Sequence, residues 1–346
     1  MVVSAKMAPL DPRGPAISNA AGPVEGSSAG ARPGASTAAG AGRRPPQRPS
    51  RAALIVRATR PQYLPTSLVP ALVGALAAIG TRDVEWALLP VALLALLCVH
   101  AGTDVANDTE DAARGVDTPD KVDNSRVFTT GLMSIAEGRR VAAVFFAVAF
   151  ALGLAIVAVQ GPALLVIGII GIVGAWGYSA GPRPLKFLGL GEVSIVPLMG
   201  PLLTQGAYTA VTGDPFHAPA FWIGFAPGLL IAAVLAGNNL SDIPGDRAAG
   251  VRSLAVRLGF DRARMLYLVL LVLSYGTPVL AWAADLFEWP VLLPLITLPL
   301  AAGRFAQVRS AHEEGDESLA TLPLRTAQLH LLFTVLLVAG VVLSRL

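Results

Sequence analysis

Charge is scarce in this chain, and lysine, cysteine and aromatic residues are scarcer still. Only 14% of its 346 residues are charged and 54% are hydrophobic, where a soluble domain carries about 25% charged residues. That deficit excludes a soluble enzyme, a nucleic-acid-binding domain or a disordered polymer as a description of the whole. The one cysteine, Cys98, allows no internal disulfide and reads as a small apolar residue in the run Leu93–Val99. Lysine occurs three times (Lys6, Lys121, Lys186) among 26 basic residues. The net charge of +3 is too small to specify an acidic partner; where the charges fall says more.

Residues 1–50 differ from the rest. Ala, Gly, Pro and Ser fill 32 of these positions, with eight prolines and no sustained apolar run. Such a segment cannot bury enough surface to offset its ordering entropy, so it is expected to be a disordered tail. It also lacks the apolar core of a signal peptide. Residues 51–346 form the second unit, an all-α membrane domain. Apolar runs long enough to span a bilayer are expected near Leu64–Gly80, Trp86–Ala106, Gly138–Val159, Pro162–Tyr178, Gly189–Ala210, Pro219–Leu240, Arg264–Ala284, Trp289–Phe305 and Thr326–Ser344. Ser134-Ile-Ala-Glu137 has capping-box spacing ahead of the third run, and Asp261 offers a simpler cap for the seventh. Gly168 and Gly171 have the spacing of a close helix contact.

The basic residues test that count of nine. The odd-numbered connections hold one, Arg82, and the even-numbered ones hold 15. The positive-inside rule then puts the amino terminus and every even connection in the cytoplasm, and the carboxyl terminus outside.

Acids gather in two places. Eight of the 23 lie between Asp104 and Glu137, where Asp104, Asn107, Asp108 and Asp111 share one face if the second span continues as a helix. Asn238, Asp242 and Asp246 stand four apart at the end of the sixth span, with Pro244 and Gly245 as possible breaks. Both groups follow even-numbered spans and so fall on one side of the membrane. A single D-x-x-D at a membrane edge is usually a cap or the partner of a local arginine. Two clusters, each preceded by Asn, argue for joint work. Converging carboxylates repel one another, and a divalent metal resolves the repulsion. All-oxygen ligation favours Mg²⁺, typically shared with substrate phosphates. Arg126, Arg183, Lys186, Arg247 and Arg252 could complement a polyphosphate.

These motifs resemble the UbiA superfamily of intramembrane prenyltransferases, and within it the 1,4-dihydroxy-2-naphthoate prenyltransferases. Asn107-Asp-Thr-Glu-Asp111 with Gly115-Val-Asp117-Thr118 resembles the family's first aspartate motif, and Asn238 through Gly259 its second. Arg60-Pro-Gln-Tyr-Leu-Pro65 is similar to the start of the family's first helix. Tyr178-Ser-Ala-Gly-Pro-Arg183-Pro-Leu185 with Gly189-Leu-Gly-Glu192 resembles the mid-chain segment of the naphthoate branch. The resemblance covers about residues 58–345 and implies nine helices around a central cavity, capped by two Asp-rich cytoplasmic loops. There, Mg²⁺ bridges Asp108, Asp111, Asp242 and Asp246 to a prenyl diphosphate, with Asn107 and Asn238 orienting the ligands. Arg60, Asp117, Arg126, Tyr178, Arg183, Lys186, Glu192, Asn239, Arg247 and Arg252 are the candidates for binding the diphosphate or an aromatic acceptor.

Three departures stand out: Thr109-Glu110, where the naphthoate branch usually carries aromatics, an additional Asp104, and the Ser241-Asp242 pair. They motivate an alternative, a terpene cyclase that uses the same metal site without an acceptor. A transporter with an acidic site ranks below both, because the acids lie at span ends rather than mid-bilayer. His100 and Gln205 are expected at cavity depth, either as weaker site candidates or as hydrogen-bond partners of a neighbouring helix, whereas His330 reads as structural.

The sidedness is directly testable. In a Cys98→Ala background, Asp120→Cys should label only from the cytoplasm and Asp214→Cys only from outside. Labelling of both from one side would overturn the nine-span reading.

Overall fold

A computed structural model describes residues 49–117 and 125–346, whose regular secondary structure is all helical, with no strand among them. Residues 1–48 of the expected tail, Thr118, Asp120 and Lys121 lie outside these described residues, whereas Ser50 caps the first helix. Six helical segments are long and apolar enough to cross a membrane: Trp86–Ala113, Ile135–Gln160, Ala218–Ser241, Phe260–Ala283, Trp289–Ser310 and Glu317–Leu343. In chain order the helices are α1 (Arg51–Ala58), α2 (Pro65–Leu76), α3 (Leu89–Ala113), α4 (Ile135–Gln160), α5 (Ala163–Ser179), α6 (Gly191–Met199) and α7 (Pro201–Thr212). There follow α8 (Ala218–Ile223), α9 (Phe225–Ser241), α10 (Ile243–Ala248), α11 (Leu254–Leu258), α12 (Phe260–Ala283), α13 (Leu298–Ser310) and α14 (Leu322–Leu343). The remaining three apolar runs correspond to the short helices α2 and α5 and to the broken pair α6–α7.

Local chemistry explains several boundaries. The capping box forms at α4: Ser134 Oγ accepts from the Glu137 N–H at 3.2 Å, and Glu137 Oε2 accepts from the Ser134 N–H at 2.9 Å. At α12 the helix begins earlier than the sequence suggests, at Phe260, with Gly259 at the cap. Asp261 makes no cap there; it lies in the first turn, 3.4 Å from Arg264.

Helix α9 lies in the core. Leu230, Ala232, Ala233, Ala236 and Leu240 are buried in a cluster that includes Tyr267 and Leu271 of α12 and Leu329, Phe333 and Leu337 of α14. Small residues let backbones approach closely. The break between α6 and α7 falls at Gly200, where a Cβ would come 2.6 Å from the Val196 carbonyl oxygen and 3.0 Å from Gly228 Cα of α9. The expected contact at Gly168 and Gly171 does not form: nothing lies within 4 Å of a Cβ built at either. That stretch of α5 instead turns large apolar side chains outward. Val166, Ile169, Ile170 and Val173 are all exposed, as are Val144, Val148, Phe150 and Leu154 of α4. Apolar surface of this extent has no place in water and suits hydrocarbon.

Candidate active site

Helix α3 carries its apolar character to Ala106 and then continues two turns further as Asn-Asp-Thr-Glu-Asp. The helix does continue, so Asp104, Asn107, Asp108 and Asp111 share the face expected from their spacing. These acids ride on a helix end rather than a loop. That position is electrostatically poor, because the carboxyl end of a helix carries partial negative charge. Burial worsens it: Asp108 is 2% exposed and Asp111 7%. Buried carboxylates of this kind need partners.

Two cations from distant segments supply them. Arg60 precedes the short helical turn Pro61–Tyr63, with φ 46° and ψ 60°, a left-handed conformation that a side-chain-bearing residue adopts at a cost of about 1–3 kcal/mol. Its guanidinium pairs with Asp108 Oδ1, while the Ser125 N–H donates to Oδ2 at 2.8 Å. Burial opposes the charge on Arg60, but Asp108 and Asp104 outweigh it and hold the guanidinium above its ordinary pKa. Among the described residues, Arg60 Nε is buried with no hydrogen-bond partner. Lys186, in the turn Leu185–Leu188, places Nζ 2.6 Å from Asp111 Oδ1 and 2.7 Å from Asn107 Oδ1. Burial pushes its ammonium pKa below the ordinary value, against the pull of Asp111 and Asp117. Ser179 Oγ donates to the same Asn107 oxygen at 2.6 Å.

The mid-chain segment leads on to the second motif. Tyr178 stands within electrostatic reach of both Asp111 and Glu192. Glu192 is 3% exposed; its Oε1 accepts from Asn239 Nδ2 at 2.8 Å, and its Oε2 is buried without a partner. Beyond Asn239, Asn238 Nδ2 lies 3.5 Å from Asp242 Oδ2. Pro244 and Gly245 do not end the helical path, because the Asp246 N–H donates to the Asp242 carbonyl at 2.8 Å. Asp117 is buried beside Lys186, and Arg126 adopts a left-handed φ of 58°. Arg183 and Arg252 are exposed, and Arg247 pairs with Glu314.

Thr109 and Glu110 face elsewhere. Thr109 is fully buried, with Oγ1 donating to the Val105 carbonyl at 2.6 Å and its methyl 2.9 Å from a Cβ built at Gly138 of α4. Glu110 takes two hydrogen bonds from Arg139 of α4, at 2.7 and 3.2 Å. The departure from aromatic residues therefore serves the α3–α4 contact, away from Asn107 and Asp111. Sequence reasoning missed Ser125 and Ser179. Ser179 was findable, since it follows Tyr178 inside the mid-chain segment, whereas Ser125 reaches Asp108 from 17 positions along the chain, through its side chain as well as its N–H, and lies outside every motif. Gln205 ties the loop before α8, accepting from the His217 N–H at 3.0 Å, and His330 is fully buried between helices.

Relatives interpret this arrangement. The model of the UbiA prenyltransferase family matches residues 67–332. The chain belongs to the UbiA prenyltransferase family. It is 33% identical to the 1,4-dihydroxy-2-naphthoate octaprenyltransferase of Mycobacterium tuberculosis, over 82% of this chain and 95% of that protein. The enzyme of the same name from Escherichia coli is 31% identical, over 86% and 98%. A UbiA homologue from Archaeoglobus fulgidus, solved bound to GPP and Mg²⁺, shares the fold at TM-score 0.59 and 20% identity, over 83% of this chain and 99% of that one. The chain is thus a prenyltransferase of the membrane-helical UbiA type.

The donor set suits a hard divalent cation, being entirely carboxylate and amide oxygen. Among the described residues, however, no three acidic, His or Cys side chains stand close enough to hold one ion.

The Arg60–Asp108 pair can be tested by itself. Arg60→Gln should destabilise the protein by about 3–5 kcal/mol, since it strands a buried carboxylate. Asp108→Asn added to it should restore part of that loss. Unfolding of the four proteins of this cycle in lipid nanodiscs measures the coupling, and strictly additive losses would contradict the pairing.

Proposed function

We propose that the protein transfers an isoprenyl group from an allylic prenyl diphosphate to a 1,4-dihydroxy-2-naphthoate-like acceptor, with Mg²⁺ as cofactor. The observation that carries this reading is the convergence of Arg60 and Lys186 on Asp108 and Asp111. The orphaned Arg60 Nε gives the diphosphate a buried donor. The curated relatives named for naphthoate prenylation support the choice of acceptor.

In this reading Asp108, Asp111, Asp242 and Asp246 would hold Mg²⁺ together with diphosphate oxygens, while Asn107 and Asn238 orient those carboxylates. When bound, the metal supplies Lewis-acid stabilisation of the departing diphosphate. Arg60 and Lys186 bind diphosphate oxygens and offset the negative charge that grows as the carbon–oxygen bond breaks. Tyr178, Glu192 and Asn239 position the acceptor. Asp117 steadies Lys186, and Arg126, Arg183, Arg247 and Arg252 contribute positive potential around the mouth of the site. The apolar helices exclude water, so the allylic cation meets an electron-rich ring rather than hydroxide.

The proposed setting has nine spans around a central cavity: the six long helices, α2, α5 and the α6–α7 pair, with lipid outside. The amino terminus and both aspartate-bearing helix ends face the cytoplasm. Residues 1–50 form a tail separate from the 51–346 domain.

Purified protein given labelled prenyl diphosphate and dihydroxynaphthoate should form a prenylated aromatic. Chelator should stop the reaction and Mg²⁺ restore it, and Asp242→Asn should lower turnover by at least about 10²-fold. Abundant cyclic hydrocarbon formed without acceptor, at a rate that acceptor does not change, would show a terpene cyclase instead.

A further inference from the structure

Prenyl transfer to a hydroxylated ring releases a proton, and none of the residues assigned above takes it. One and two turns deeper than Asp108, on the same face of α3, stand Asp104 and His100. His100 Nδ1 lies 2.8 Å from Ser67 Oγ of α2, and His100 Nε2 lies 3.3 Å from Asp104 Oδ2. The His100 and Asp104 side chains are only 11% and 19% exposed, and Ser67 is 1% exposed. Ionisable groups at this position in an apolar helix are costly and are retained for a task.

The hydrogen bonding suggests which task. Ser67 Oγ can donate to the Leu64 carbonyl at 3.2 Å, and its lone pair then accepts from His100 Nδ1–H. In that tautomer Nε2 carries no proton and faces a carboxylate oxygen. Asp104 Oδ2 is buried, and its contact with His100 Nε2 lacks hydrogen-bond geometry. Asp104 also acts electrostatically on Arg60, which places it beside the diphosphate-binding cation rather than in a remote part of the bundle.

We propose that Asp104 and His100, held by Ser67, accept the proton that the acceptor hydroxyl loses during prenylation; this rests on the prenyl-transfer reading above. The ring carbon bonds to the allylic carbon, and the allylic carbon–oxygen bond breaks with its electron pair leaving on the diphosphate. The acceptor hydroxyl becomes a protonated carbonyl. Its O–H bond then breaks, the pair stays on oxygen to give the neutral dienone, and the proton passes through Asp104 Oδ2 to His100 Nε2. The result is an imidazolium beside a carboxylate, with Nδ1–H still held by Ser67 Oγ. The prenylated carbon then sheds its hydrogen as a proton to solvent, that C–H pair re-forms the aromatic ring, and the oxygen takes its proton back from the imidazolium, which resets the relay.

The test uses the full chain in nanodiscs with prenyl diphosphate, Mg²⁺ and dihydroxynaphthoate. Asp104→Asn and His100→Gly should each lower turnover by roughly 10²–10⁴-fold, with KM for the prenyl diphosphate unchanged. Added imidazoles should restore His100→Gly activity in order of their basicity, which a merely structural histidine would not allow. Should His100→Gly fail to fold, the isosteric Asp104→Asn still decides the matter through its turnover-against-KM split. A wild-type enzyme that prenylates normally beside an Asp104→Asn variant within threefold of it would overturn the relay. So would a folded His100→Gly whose activity imidazoles do not change. A wild-type enzyme that yields no prenylated aromatic would overturn the prenyl-transfer reading, and the relay with it.

Discussion

Two carboxylates buried at the negative end of a helix set the terms for the rest of this structure. Asp108 and Asp111 oppose the dipole of α3, sit out of water and stand one turn apart. Repulsion and desolvation both work against them. Their partners come from segments 48 and 75 positions away, Arg60 and Lys186. Such pairs add little net stability, yet losing one member is expensive, so they fix geometry more than they hold the fold together. The left-handed backbone at Arg60 is consistent with a residue placed for its side chain rather than for local comfort.

Helix packing then decides what each side of α3 can do. The face bearing Thr109 and Glu110 is used up against α4, where Gly138 gives Thr109 room and Arg139 holds Glu110. The opposite face is left for the aspartates and, further along, for His100 and Asp104. The α6–α7 break plays a related part. Gly200 and Gly228 let that pair close on α9, and α6 in turn brings Glu192 to Asn239, next to the second aspartate motif.

Much of this was legible in the sequence because it depends on periodicity and short spacing. Six of the nine apolar runs coincide with helical segments long enough to cross a membrane, the other three with the shorter α2 and α5 and the broken α6–α7 pair, the Ser134–Glu137 box forms, and the four-residue stripe on α3 persists. What was not legible depends on distance along the chain. No local pattern links Arg60 to Asp108, or shows that Lys186 rather than Arg183 reaches the first motif, because only the folded bundle sets which basic side chain arrives. Gly168 and Gly171 illustrate the limit of a pattern: their spacing suits a helix contact, but α5 turns that stretch outward. Asp261 likewise had the composition of a cap without the position of one. The Thr109-Glu110 substitution pointed to altered chemistry when read linearly and to altered packing once α4 was in place.

The central claim is that the carboxylates are held by protein cations until a diphosphate joins them, so that metal and diphosphate each complete the other's site. Coupling of this kind is reciprocal. Electron paramagnetic resonance of Mn²⁺, titrated into the purified protein with and without an unreactive thiolodiphosphate analogue of the prenyl substrate, measures it directly. The account predicts weak Mn²⁺ binding alone and binding at least about tenfold tighter with the analogue present, an energy within the usual range of coupled sites. Tight Mn²⁺ binding that the analogue leaves unchanged would contradict it.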